Sequence, residues 1–340
     1  MRNWILILLA AVGAMVSYGQ EPSVGLLNRS AIAVNQRTRT VYAVDTARNA
    51  LEIMPASGPP HRVNVGAGPV AVAVNETTGR VYVLCDGPRA VWILDEKDKV
   101  LTKLPTAARP YGIGLDETAN KVYISNTFSP MLTVIDGATN TARNVKAAFC
   151  DMMLVDSASH RVYLLNYESD SLSVFDTVTN TVTKLSAGKL HQWGMAVYAD
   201  TLYVSHPQDG SIGLVDEKTR AVREVKTGAW PCAVAADTKH GAVWVTNYTD
   251  GTVTAIRNGR AIATLRVGTK PAAVAVDESA DRVYVANEGD GTVSVIEANS
   301  RRVLRTLAAG QHPYALAVEP SSHRVYAANA GGGATVVDVD

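Results

Sequence analysis

Cationic and aromatic residues recur on both sides of prolines that follow a regular interval. Pro231, Pro271 and Pro313 are 40 and 42 residues apart, and Pro69 and Pro110 are 41 apart. The residues before these prolines and at the matching positions of the chain are Asn28, Gly68, Arg109, Phe149, His191, Trp230, Lys270 and His312. The residues after them are Ser30, Val70, Tyr111, Asp151, Trp193, Cys232, Ala272 and Tyr314. A turn that served the fold alone would reuse one residue type, so this variation predicts a recognition surface.

Rigid aromatic side chains beside cations suit an anionic or aromatic ligand. We therefore predict a binding site formed by Arg109, Tyr111, His191, Trp193, His206, Trp230, Lys270, His312 and Tyr314. The partner is a small anionic or aromatic ligand, or another protein. His206 joins this set because it ends a strand at a position where several other repeats have Asn.

Two kinds of chemistry are open to these residues besides binding. His191 with Asp151 is the candidate acid–base pair for a lyase- or hydrolase-like enzyme. His191, His206 and His312 are three imidazoles that could ligate a metal or a haem iron. The chain has no GxSxG, no HExxH and no Gly-rich phosphate loop. A non-enzymatic binding protein without a cofactor is therefore the leading interpretation, and the enzyme and the haem or metal protein are alternatives.

The elements that position these residues follow a period of about 40 residues. An aromatic residue recurs at the same position of each repeat, with spacings of 40, 41, 40, 40, 41, 40 and 42, at Tyr42, Tyr82, Tyr123, Tyr163, Tyr203, Trp244, Tyr284 and Tyr326. Within 271–310, four short runs rich in Val, Ile, Tyr and Thr are separated by turns rich in Asp, Asn, Gly and Ser. Four antiparallel strands per repeat, here named A to D in chain order, predict a propeller blade.

Eight repeats predict an all-β, eight-bladed propeller, with seven blades as the alternative. Strand A is built of small and aliphatic residues, as its place beside the crowded axis requires, whereas strand D admits charges. The eighth repeat ends before its strand D. Residues 22–27 are predicted to supply that strand and to close the last blade, which leaves no open edge.

The strand B motifs resemble those of the YVTN family of β-propellers. They read VYISN at 122–126, VWVTN at 243–247, VYVAN at 283–287 and VYAAN at 325–329. The resemblance extends over nearly all of 20–340 and implies an exported or cell-surface protein. Propellers similar to this family include lactonase-like enzymes, streptogramin lyases and the eight-bladed haem d1 domains of nitrite reductases. The d1-type proteins use histidines at the channel mouth, but no d1-specific motif occurs here.

The beginning of the chain is predicted to be a secretory signal peptide, residues 1–19, followed by a single propeller domain, residues 20–340. Arg2 precedes an apolar stretch from Trp4 to Val16, with small residues before Gln20. We expect a periplasmic or secreted protein with no membrane span after signal removal, and a monomer. Lys plus Arg and Asp plus Glu are both 32, so no cationic surplus favours nucleic acid. No disulfide is expected among Cys85, Cys150 and Cys232, which belong to different blades.

Regular polar residues are interpreted as turn formers. The Asn that ends strand B and the Asp that ends strand C each accept or donate local hydrogen bonds in such turns. The D-to-A and B-to-C loops are expected on one face, around the mouth of the axial channel, so the predicted binding site lies at that mouth. His160, His240 and His323 fall in A-to-B turns and are expected on the opposite face, away from the site.

Overall fold

A computed structural model describes residues 29–107, 109–127, 129–337 and 339. The predicted signal peptide, residues 1–19, and the predicted closing strand, residues 22–27, both lie outside the described residues. None of the helices within the described part is long and apolar enough to cross a membrane.

The described residues form thirty-one strands and two short 3-10 turns, Arg29–Ala31 and Pro207–Asp209. Blades 1 and 2 consist of β1 Ile32–Asn35, β2 Thr40–Asp45, β3 Ala50–Met54, β4 His61–Asn64, β5 Pro69–Asn75, β6 Arg80–Cys85, β7 Ala90–Leu94 and β8 Val100–Pro105. Blades 3 and 4 consist of β9 Pro110–Asp116, β10 Lys121–Asn126, β11 Met131–Asp136, β12 Thr141–Lys146, β13 Met152–Asp156, β14 Arg161–Leu165, β15 Ser171–Asp176 and β16 Val182–Ser186. Blades 5 and 6 consist of β17 Met195–Tyr198, β18 Thr201–His206, β19 Ser211–Asp216, β20 Val222–Lys226, β21 Pro231–Asp237, β22 Ala242–Asn247, β23 Thr252–Arg257 and β24 Arg260–Arg266. Blades 7 and 8 consist of β25 Pro271–Asp277, β26 Arg282–Asn287, β27 Thr292–Glu297, β28 Arg302–Ala308, β29 Pro313–Glu319, β30 Arg324–Asn329 and β31 Ala334–Val337.

Each blade is one antiparallel sheet whose strands pair in chain order. Seven sheets have four strands, and three strands of the eighth are described. The A strands contact one another in sequence around the ring, and β29 of blade 8 contacts β1 of blade 1. The prediction of an eight-bladed all-β propeller is therefore confirmed, and the seven-blade alternative is wrong.

The periodic aromatic of strand B forms the packing between blades. Trp244 of blade 6 is fully buried and packs in one cluster with Val283 and Val285 of blade 7. Burial of each such side chain stabilises the ring by roughly 2–3 kcal/mol. Strand D lies at the rim, where β8 alternates between half-buried and exposed residues. The aromatic residue recurs about every 40 residues because each blade uses it once to pack against the next blade.

The turns divide between two faces of the ring. The D-to-A and B-to-C loops meet on one face, here called the upper face, as the bond from Gly289 N–H to the carbonyl of Thr269 (3.1 Å) shows. The A-to-B and C-to-D turns meet on the lower face, where Ala298 N–H donates to the carbonyl of Asp281 (3.0 Å). The sequence prediction that the D-to-A and B-to-C loops share a face is confirmed.

Side chains also join blade 8 to blade 1. Gln36 donates through Nε2 to the carbonyl of Val318 (3.1 Å), and the Glu52 carboxylate accepts the N–H of Ala334 (3.1 Å). Gly332, in the last B-to-C turn, has a φ of +90°, and a Cβ there would overlap the carboxylate of Asp45. This turn therefore needs glycine for both its backbone conformation and its close approach to blade 1.

The Asn that ends strand B is structural, as predicted. Asn247 donates through Nδ2 to the hydroxyls of Thr252 and Thr254 on strand C, both at 2.9 Å. Asn287 makes the corresponding bonds to Thr292 (3.0 Å) and Ser294 (2.9 Å). The side chain thus ties strand B to strand C inside the blade.

Candidate functional site

An arc of aromatic side chains crosses the upper face from blade 4 to blade 6. The ring centroid of Tyr167 lies 4.9 Å from that of His191 and 5.6 Å from that of Trp193, the latter in edge-to-face geometry. Trp193 and Trp230 both pack against a cluster that contains Tyr248. Tyr167, His191, Trp193, Trp230 and Tyr248 are called the aromatic arc below.

Backbone hydrogen bonds between the D-to-A and B-to-C loops hold the arc in place. The carbonyl of Trp230 accepts the N–H of Tyr248 (2.9 Å), and the N–H of His191 donates to the carbonyl of Tyr167 (2.9 Å). Blade 5 has Gln192 where five other blades have proline. This amide is fully buried and donates to the carbonyls of Ser169 (3.0 Å) and Lys189 (3.2 Å). Hydrogen bonds between a D-to-A loop and a B-to-C loop therefore hold the residues of the arc in position.

One indole in the arc has an unused donor. Trp230 Nε1 is buried and has no hydrogen-bond partner within the described residues. A buried donor without an acceptor costs about 1–3 kcal/mol, which an acceptor on a ligand would recover. The hydroxyl of Tyr248, by contrast, donates to Glu288 at 2.8 Å.

A cavity of about 440 Å³ adjoins the arc between blades 6 and 7. Its wall carries charges of both signs, from Arg266, Lys270, Asp250 and Asp290. Lys270 Nζ lies 6.0 Å from the ring centroid of Tyr248, at the outer limit of a cation–π contact. The two carboxylates bind loop backbone: Asp250 accepts the N–H of Ala229 (2.6 Å), and Asp290 that of Thr269 (2.5 Å). The site is therefore less cationic than the sequence suggested.

The remaining predicted residues lie in other blades of the upper face. Arg109 of blade 3 is ion-paired with Asp86 at 3.1 Å. Tyr314 of blade 8 is buried, and burial together with nearby Tyr111 raises its pKa to about 12. His312 accepts the N–H of Ala330 through its carbonyl (3.2 Å). The structure thus places His191, Trp193 and Trp230 together, with Lys270 beside Tyr248, and leaves Arg109 in a separate ion pair.

His206 does not face the channel mouth, and its predicted position is corrected. Its side chain is fully buried in blade 5, where it replaces the strand B Asn. The ring packs on strand C at Gly213, where a Cβ would come within 2.8 Å of His206 Cε1. Burial lowers the pKa of the imidazole below its ordinary value, although the Glu224 carboxylate, 3.4 Å away, opposes this. Gly213 stands where blade 6 has Thr254, so the larger imidazole is matched by a smaller partner.

The candidate catalytic pair and metal set do not assemble in the described part of the chain. Asp151 accepts the backbone N–H of Tyr167 (2.9 Å), and no ion pair joins it to His191. Burial raises the pKa of Asp151. With His206 inside blade 5, the three predicted imidazoles do not converge, and the described residues hold no group of three His, Cys, Asp or Glu side chains spaced for a metal ion.

Two residues of the arc, Tyr167 and Tyr248, were not predicted. Both directly follow the Asn that ends strand B. The matching residues of other blades include Asp86, Thr127 and Glu288, so this position varies as much as those beside the prolines. Variation in residue type from blade to blade, the signal used beside the prolines, would also have identified Tyr167 and Tyr248 at the position that follows strand B.

The chain is similar in fold to several proteins of known structure. No protein-family model and no curated protein matches the chain. Among solved structures, the computationally designed Ika8 protein aligns with a TM-score of 0.76 at 15% identity, over 92% of this chain and 97% of that one. A streptogramin B lyase aligns with a TM-score of 0.64 at 13% identity, over 80% and 94% of the two chains. Hydrazine synthase of Kuenenia stuttgartiensis aligns with a TM-score of 0.62 at 13% identity, over 95% and 98%. At these identities the likeness concerns the fold alone.

Proposed function

We propose that this protein is an exported, non-enzymatic propeller of the YVTN type that binds a small aromatic, anionic ligand at the aromatic arc. The aromatic part of the ligand packs between Trp193 and Trp230, and its anionic part lies toward Lys270. The strand B motifs support the family, and the signal-peptide pattern predicted for residues 1–19 supports the export.

One observation carries the proposal: five ring side chains of blades 4 to 6 line one face while the buried Trp230 Nε1 lacks an acceptor among the described residues. Aromatic side chains usually fill cores or pair fully, and the strand B aromatics already serve that role here. Trp193 and Trp230 are only partly buried, so part of each ring is open to a partner. Rings of this kind are the usual anchors of binding sites.

The test uses 8-anilinonaphthalene-1-sulfonate, an aromatic sulfonate, as the probe. The purified protein should bind it saturably, with an increase in probe fluorescence. A Trp193→Ala, Trp230→Ala double variant should keep its circular dichroism spectrum and weaken binding about 30-fold or more, since each aromatic anchor contributes about 1–2 kcal/mol.

Val178→Ala is the matched control, because it truncates an exposed apolar residue in a C-to-D turn of the lower face. It should bind the probe like the unmodified protein. Unchanged binding by the folded double variant, or equal loss in the control, would refute the assignment. Substitution Lys270→Gln should weaken the sulfonate more than the uncharged analogue N-phenyl-1-naphthylamine if the ammonium contacts the anion.

A further inference from the structure

The lower face has one blade interface at which both turns are shortened. The A-to-B turn of blade 5 has only two residues, Ala199 and Asp200, whereas the corresponding turn of blade 7 has four, residues 278–281. The C-to-D turn of blade 6 also has only two, Asn258 and Gly259. All four have positive φ, between 49° and 69°, as two-residue hairpin turns require. Because blades 5 and 6 are neighbours, the two missing segments leave one shared gap.

The gap is a pocket of about 500 Å³ with a cationic wall. Its lining includes Tyr198, Tyr203 and Arg223 of blade 5 and His240, Arg257 and Asn258 of blade 6, and no Asp or Glu among the described residues. Nor is either arginine in an ion pair with a described carboxylate. Arg257 Nε is buried without a hydrogen-bond partner in that same part of the chain. His240 is already bound, with Asp237 and Asp281 each 2.9 Å from its ring nitrogens.

The preceding blade interface has a carboxylate in the corresponding corner. There, Tyr163 and Arg161 of blade 4 both donate to the carboxylate of Glu217 in blade 5. Strand C of blade 5 can be aligned with strand C of blade 6 through their pairing with strand B. Ser211 pairs with His206 in blade 5, and Thr252 pairs with Asn247 in blade 6, so Asp216 aligns with Arg257. Glu217 accordingly aligns with Asn258. The tyrosine is retained as Tyr203, but both acidic positions are lost and one has become a cation.

We propose that this lower-face pocket binds a carboxylate ligand, whose carboxylate takes the place that Glu217 fills between blades 4 and 5. The guanidinium groups of Arg223 and Arg257 would hold the anion, because guanidinium matches carboxylate geometry in paired hydrogen bonds. The tyrosine hydroxyls offer further donors, as Tyr163 does for Glu217. Two separate arginines and the pocket volume favour a small dicarboxylate. This site is distinct from the aromatic arc and does not depend on it.

The test measures succinate binding to the mature protein by isothermal titration calorimetry, with inorganic phosphate as the competing anion. Succinate should bind saturably at one site, and Arg257→Gln should weaken it about tenfold or more, since a charge-assisted hydrogen bond is lost. Arg257→Glu should abolish binding, because it restores an acidic residue at the position that Asp216 and Glu297 hold in neighbouring blades.

Arg305→Gln is the matched control, because Arg305 occupies on strand D of blade 7 the position of Arg223 in blade 5. It should bind succinate like the unmodified protein, whereas Arg223→Gln should not. Absence of succinate binding, binding of phosphate in preference to succinate, or equal binding by folded Arg257→Gln would overturn the proposal. The Trp193→Ala, Trp230→Ala variant should retain succinate binding, which separates this site from the upper face.

Discussion

Acidification should destabilise the protein through the buried imidazole of His206. Burial lowers its pKa in the folded state, whereas the unfolded chain titrates near 6.5. Below pH 6.5 the unfolded state therefore takes up a proton that the folded state does not, and stability falls with pH. The contribution is fully present above pH 6.5. At pH 5.5, one unit lower, the loss reaches at most about 1.4 kcal/mol.

The assay compares urea unfolding at pH 7.5 and 5.5 in the unmodified protein and in a His206→Asn, Gly213→Thr double variant. The variant recreates the Asn–Thr pair of blade 6, so the blade keeps its packing but loses the titrating group. Other titrating residues are common to both proteins and cancel in the difference. The unmodified protein should lose about 1 kcal/mol more than the variant over this pH range.

Equal pH dependence in the two proteins would refute the reasoning. It would mean that the folded protein protonates His206 as readily as the unfolded chain does, because the Glu224 carboxylate, 3.4 Å away, offsets the effect of burial. The single change Gly213→Ala checks the packing argument separately. It should destabilise the protein at both pH values, because its Cβ would lie 2.8 Å from His206 Cε1.

Three further measurements address other parts of the ring. Gly332→Ala should lower stability by about 2 kcal/mol or more in urea unfolding, since it combines a positive φ with overlap on Asp45; a change below about 0.5 kcal/mol would contradict this. Deleting residues 20–28 should sharply lower the melting temperature or give insoluble protein if residues 22–27 close blade 8, and unchanged melting would exclude that strand. The native protein should not react with Ellman's reagent at pH 8, because all three cysteines are buried and burial raises the thiol pKa of Cys85 and Cys150. The urea-unfolded protein should expose three reactive thiols. Rapid reaction of the native protein would contradict the buried positions of Cys85, Cys150 and Cys232.

The ring could be predicted from sequence because each blade repeats one physical requirement. A buried aromatic on strand B, such as Tyr82 or Trp244, must meet the next blade, so its spacing reports the number of blades. The structural role of the turn residues could be predicted equally well, because Asn and Asp side chains form hydrogen bonds with the backbone of neighbouring residues. Asp136, for example, accepts the N–H groups of Ala138 and Thr139 at 2.9 and 3.0 Å.

The site was less predictable, because side-chain direction depends on partners far away in the sequence. His206 was expected at the mouth, yet the strand B Asn that it replaces points into the blade, and Gly213 seven residues later makes room for the ring. The lower-face pocket arises from two short turns about 60 residues apart, and only the order of blades around the ring brings Asp200 and Asn258 to one interface.

The contact between β29 and β1 joins the last blade to the first and closes the row of blades into a ring. A linear array of repeats has two terminal units with a single neighbour each, and these fray first. In a circle every blade has two neighbours, so the release of any one blade breaks two interfaces at once. We therefore expect partial opening to be disfavoured and the ring to unfold as one cooperative unit. Loops on either face can then change in length and chemistry, as those around blades 5 and 6 have, while the frame retains its rigidity.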